Sequence, residues 1–173
     1  MIKLIVGLGN PGPHYYLQRH NIGFRIIDAL CHKYDGTWKH KSQMEQAEIT
    51  IADHRIILIK PLTFMNSSGT AVHHFFKSGI VQEQLLVIHD ELEKPFGNLS
   101  IKSGGSHKGH NGLKSIIQQC GSEFFRLRFG IGRPANKDEV PTYVLNHFSE
   151  SKEMVDHLIL ESVKMIINFI HHD

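Results

Sequence analysis

Three short polar clusters hold the residues of this chain best suited to chemistry. The first, Tyr15–Asn21 (YYLQRHN), places His20 on the loop entering a helix. The second, His89-Asp90-Glu91, ends a fully apolar run and so sets ionisable groups at a strand tip. A carboxylate such as Asp90 can accept a hydrogen bond from a histidine there. That bond fixes the tautomer and makes the other ring nitrogen a better base. The third, Gly104–Gly112 (GGSHKGHNG), opens a helix with His107, His110 and Asn111. The chain has no GxSxG serine elbow and no cysteine beside a candidate base. A hydrolase built on these residues therefore takes water as its nucleophile.

Each cluster also has a plainer reading. One histidine among fourteen is ordinarily solvated or packed, and His89-Asp90-Glu91 is also an ordinary strand-to-loop transition. His107 and His110 resemble a ligand pair, but zinc needs three or four protein ligands and no further pair lies nearby. The same loop could hold an anion on its backbone N–H groups, or Asn111 could cap the helix. In Pro61–Gly69 (PLTFMNSSG), Phe64 and Met65 read equally as pocket walls beside a donor, Asn66, or as a staple before a helix capped by Ser67 or Ser68.

Gly7–Gly12 (GLGNPG) is a literal GxGxxG after a strand. Pro11 and Pro13 bracket its last glycine, the next strand begins near Ala47, and no acid ends a strand at the required distance. Dinucleotide binding is set aside on those grounds. A turn at a strand's carboxyl end is still where α/β sheets place their sites, and Asn10 there can donate and accept through its amide. Lys102, Lys108, Arg126, Arg128 and Arg133 make a phosphate-binding patch only if the glycine-rich loop neighbours the strand Phe125–Ile131.

The elements that position these residues follow from periodicity. Ile2–Val6 and Leu85–His89 read as buried strands, and Ala47–Ala52 with Arg55–Lys60 as a hairpin through Asp53-His54. Asn98–Lys102 reads as a short strand. In Phe125–Ile131 the apolar residues share one face, while Arg126 and Arg128 share the other. Helices are predicted over Asn21–Lys33, Ser68–Ser78, Asn111–Cys120 and about Lys152–Ile170. Asn136–Pro141 reads as a polar loop. The expected fold is α/β, a single domain over residues 1–173, with a mixed twisted β-sheet flanked by helices.

Composition bounds the function. Lys and Arg number 19 and Asp and Glu 17, a net +2 that argues against a non-specific polycation for DNA. Cys31 and Cys120 are too far apart for a zinc cluster or disulfide framework, which implies reduced thiols inside the cell. The apolar run in MIKLIVGLGNPG is too short for a signal-peptide core. No segment approaches the roughly 20 apolar residues that span a bilayer.

Six motifs occur in one order: GLGNPG, the YxxxRHN-G stretch, PLTFMNSSG, HDEL, GHNGLKSI and RLRFGIGRP. In this the chain closely resembles bacterial-type peptidyl-tRNA hydrolase, from Lys3 to about Tyr143. The resemblance implies a cytoplasmic, monomeric enzyme that cleaves the ester between a peptide and the 3′ ribose of tRNA, without a metal or cofactor. His20 falls on the family's catalytic base, Asp90 on its supporting carboxylate, and Asn10 on the residue that discriminates blocked from free aminoacyl groups. Asn66 and Asn111 match residues that hold the peptide backbone and the 3′-terminal region. Tyr15 and Phe64 match substrate-binding positions and Met65 a cleft residue, and His110 is expected beside them. Lys102 and Arg128 match basic residues that grip tRNA phosphate. Lys108 stands where the family usually has glycine, and it is expected either to add a phosphate contact or to crowd the cleft.

Overall fold

A computed structural model describes residues 1–173. Seven strands form one mixed sheet: β1 (Leu4–Gly7), β2 (Lys39–His40), β3 (Met44–Ile51), β4 (His54–Pro61), β5 (Leu85–Glu91), β6 (Leu99–Ser103) and β7 (Phe125–Gly130), in the order β2-β3-β4-β1-β5-β7-β6. Strands β4, β1, β5 and β7 run parallel, while β2, β3 and β6 add antiparallel edges. Helices α1 (Ile22–Lys33), α2 (Ser68–Lys77), α3 (Asn111–Cys120), α4 (Val140–Leu145) and α5 (Lys152–His172) complete the chain.

Side chains alternate across a strand, so a sheet covered on both faces reads as continuous apolar sequence. Ile5, Leu58, Leu86, Ile88, Leu127 and Phe129 pack in one core with residues of α1 and α5. Leu4, Val6, Ile59, Leu85 and Val87 pack in the other with residues of α2 and α3. The expected α/β architecture is the one observed.

The first two glycines of GxGxxG serve this packing, Gly7 against Gly23 and Gly9 against the Phe24 ring. A Cβ on Gly7 would stand 2.4 Å from the Gly23 carbonyl oxygen, and one on Gly23 would stand 2.5 Å from Leu8 N. The start of α1 is thereby pressed onto the end of β1, which carries the residues before it, His20 included, to the carboxyl ends of β1 and β5.

Two local expectations change. The β3–β4 turn is Ala52-Asp53, both at positive φ (50° and 63°), which is the geometry of a two-residue hairpin. The polar loop expected over 136–141 instead leads into α4, with Pro141 in its first turn, where a missing N–H costs nothing.

Candidate active site

Asp90, at the end of β5, lies between two imidazoles. His20 Nδ1 is 3.0 Å from Asp90 Oδ1 and 2.9 Å from Oδ2, and His110 Nε2 is 2.8 Å from Oδ1. All three residues are buried or nearly so. His110 Nδ1 accepts the backbone N–H groups of Gly112 (3.1 Å) and Leu113 (3.3 Å), so its ring proton sits on Nε2 and points at Asp90. His110, not Asn111, is therefore the cap of α3, which corrects the capping alternative for Asn111. Asn111 is exposed at the first turn and lines the cleft.

Electrostatics follow from this arrangement. Burial opposes charge on His20, but the charge and hydrogen bond of Asp90 outweigh it and raise the imidazole above its ordinary 6.5. Burial likewise works against the Asp90 carboxylate, yet the two imidazoles hold it well below the usual carboxylate range. His89 goes the other way. Its Nδ1–H donates to its neighbour's carbonyl, Asp90 O, at 2.8 Å, and burial drives its pKa down to about 3.

A second cluster adjoins the first. Asn10 is pinned at three points: its N–H donates to Asn21 Oδ1 (3.0 Å), its carbonyl accepts from Asn21 Nδ2 (2.8 Å), and its Oδ1 accepts from Met65 N (2.8 Å). With Oδ1 engaged, the Asn10 side chain has its NH₂ left to offer. Met65 is buried, and its Sδ would meet a Cβ on Gly112 at 2.5 Å, so the turn 65–67 sits against the start of α3. Ser67 makes no side-chain cap for α2; Ser68 instead donates to Met65 O at 2.8 Å. Phe64 is half exposed at φ 59°, ψ 159°, a conformation rarely adopted by a bulky residue, and it meets Tyr15 edge-on at 6.1 Å. Asn66 is exposed on the same turn.

The cleft around His20, Asp90 and His110 is also lined by Lys102, Lys108, Arg126 and Arg128. The glycine-rich loop and β7 are neighbours, as the phosphate patch required. Lys102 is half-buried, and burial together with Arg128, Arg126 and Lys108 lowers its pKa. Arg126, however, belongs to the scaffold. It is buried, donates to the carbonyls of Ser106 (2.7 Å), Gly105 and Ser122 (3.3 Å), and stacks 4.7 Å from the Phe124 ring. Arg133 pairs with Glu93 on the surface. These two leave the proposed phosphate grip; Lys102, Lys108 and Arg128 stay, none of them paired with a carboxylate.

Asn21 and Arg19 were not singled out in the sequence. Both are buried polar residues flanking His20 in YYLQRHN, and that density of polar groups before a helix was the available signal. The cluster His20, Asp90, His110 also answers the missing-ligand objection to a metal at His110, since their ligand atoms lie within 4.8 Å of one another. Its chemistry is unsuited to a cation: Nε2 of His110 already carries the proton that its capped Nδ1 cannot, and a ligand nitrogen must offer a lone pair.

Comparison with known proteins bears on the whole chain. A family model described as peptidyl-tRNA hydrolase matches residues 4–173. Peptidyl-tRNA hydrolase of Rhodospirillum centenum is 42% identical over 174 residues, covering 95% of this chain and 76% of that protein. Its counterpart in Roseobacter denitrificans is 46% identical over 156 residues, covering 88% and 66%. The crystal structure of peptidyl-tRNA hydrolase from Acinetobacter baumannii matches with a TM-score of 0.89 at 40% identity, over 96% of this chain and 89% of that one. A match that runs through every element carrying the site makes this chain a member of the peptidyl-tRNA hydrolase family.

Proposed function

We propose that this cleft hydrolyses the ester joining a peptide, or an N-blocked aminoacyl group, to the 3′ ribose of tRNA, with His20 as general base. The observation that carries this is the hydrogen bond from His20 Nδ1 to Asp90. It leaves Nε2 with a lone pair that can take a proton from water as the water attacks the ester carbonyl. The charge of Asp90 then stabilises the imidazolium, which returns its proton to the departing ribose oxygen.

The developing oxyanion needs donors held in place beforehand. Asn10 meets that need best, because two hydrogen bonds fix its backbone and a third, from Met65 N, fixes its side-chain amide. Asn66 and Asn111 supply further amides for the peptide backbone and the 3′-terminal region. Tyr15, Phe64 and Met65 form the apolar wall on that side. Lys102, Lys108 and Arg128 take phosphate beside the base, a cluster suited to a few phosphates rather than a long duplex. His110 acts through Asp90. The reaction runs without metal or cofactor, in one catalytic domain spanning residues 1–173 and acting as a monomer in the cytoplasm. No helix is long and apolar enough to cross a membrane.

The test is single-turnover hydrolysis of N-acetyl-aminoacyl-tRNA with and without chelator. Release of free tRNA, unchanged by chelator, is expected. An RNA-binding protein of this fold without activity would bind the substrate and leave it intact, and a metal enzyme would stop on chelation.

A further inference from the structure

Arg19 is buried at 5% exposure beside His20, yet no carboxylate pairs with it. Its side-chain hydrogen bond and ring contacts run to α4 and to the segment that follows it. Nη1 donates to the Tyr143 carbonyl at 2.9 Å, and the guanidinium lies 3.9 Å from the centroid of the Tyr143 ring and 5.9 Å from that of Phe148. Its backbone N–H donates to Asn146 O at 3.0 Å, and Gln18 bridges to His147. Tyr143 is tied in turn to the end of β7 by a 2.5 Å bond from its hydroxyl to Ile131 O. The Tyr143 carbonyl lies in the last turn of α4, where it also accepts the Asn146 N–H at 3.2 Å. Val140, Pro141 and Val144 of the same helix line the cleft that the basic cluster also lines.

We propose that Arg19 is a positioning residue, a buried clasp that locks the α4 wall of the cleft to the turn carrying the base. This rests on the hydrolase reading of the site. A charge taken out of water without an acid is poor value as stability alone, and Nε of Arg19 has no partner at all. What the guanidinium offers is geometry: a planar group that stacks on a ring and donates to that residue's carbonyl at once, which an ammonium cannot do. The clasp holds α4 and leaves the His20–Asp90 bond to itself. Its loss therefore falls on substrate positioning, not on the protonation of the base.

The experiment compares wild type with Arg19→Met, which keeps the packed stem, using kcat, KM, the pH–rate midpoint and amide hydrogen exchange of the 140–147 segment. Arg19→Met is expected to raise KM by about tenfold, with faster exchange in 140–147 and an unmoved pH midpoint. Unchanged KM and exchange, with only a lower melting temperature, would overturn the proposal. So would a shifted midpoint with unchanged exchange, which would place Arg19 on the base instead. If Arg19→Met does not fold, Arg19→Lys is read by the same criteria. Failure of wild type to hydrolyse N-acetyl-aminoacyl-tRNA would refute the hydrolase reading, while the exchange comparison would still decide the clasp.

Discussion

His20 Nδ1 and Asp90 Oδ2 lie 2.9 Å apart in a buried pair that raises the pKa of the imidazole and depresses that of the carboxylate. A general base works in its neutral form, so the role proposed for His20 puts the midpoint of the acid limb of kcat/KM above 6.5. Asp90→Asn removes the charge that raises His20 and leaves the burial that lowers it. The midpoint should then fall below 6.5, and turnover should drop by roughly 10- to 100-fold. A pH–rate profile that keeps its midpoint in this variant would separate Asp90 from the base.

His110 does two jobs that substitution can pull apart. Its Nδ1 caps α3 and its Nε2–H holds Asp90. His110→Asn can still cap, whereas His110→Ala cannot and should cost about 1 kcal/mol more in urea unfolding. Both lose the bond to Asp90, so both should slow turnover by a similar factor. Full activity in His110→Asn would mean that Asp90 needs no second partner.

The basic residues of the cleft should sort by role. Lys102→Ala and Arg128→Ala should each weaken substrate binding and reduce the salt slope by about one contact, with little change in stability. Arg126→Ala strips three carbonyls and a ring of their cation, and should destabilise the protein by about 3 kcal/mol. Salt-dependent binding set beside unfolding curves distinguishes the two kinds.

That sorting marks where sequence alone was legible. Unbroken apolar runs gave away β1 and β5, and the i, i+3, i+4 spacing of Leu113, Ile116 and Ile117 gave away α3. Alternation correctly put Arg126 and Arg128 on one face of β7. It could not say that this face lies under the glycine-rich loop, where Arg126 is walled in and Arg128 is not. α4 was hidden because a polar run, NKDE, leads straight into a helix that carries a proline; its tertiary hydrogen bonds run to Arg19 and Ile131, more than ten residues away in sequence. The motifs named His20, Asp90 and the asparagines; YYLQRHN hinted at Asn21 by its density of polar groups, but that Asn21 pins Asn10 only the fold reveals.

His89 makes a prediction about stability. Unfolded, it takes up a proton near 6.5; folded, burial holds it to about 3. Between those values the unfolded chain binds more protons, so stability falls as pH drops from about 6.5 and levels off below about 3. By pH 5 this one site should cost about 2 kcal/mol. In His89→Gln, urea unfolding at pH 7 and pH 5 should differ by about that much less than in wild type. Equal pH dependence in both proteins would show that His89 is protonated in the folded state.

The role proposed for His20 is that of base for an attacking water. Single-turnover hydrolysis of N-acetyl-aminoacyl-tRNA by His20→Ala, beside its affinity for the same tRNA, tests it most directly. Hydrolysis should fall by about 1,000-fold or more while affinity stays within about twofold of wild type. Hydrolysis near the wild-type rate would rule out His20 as the base.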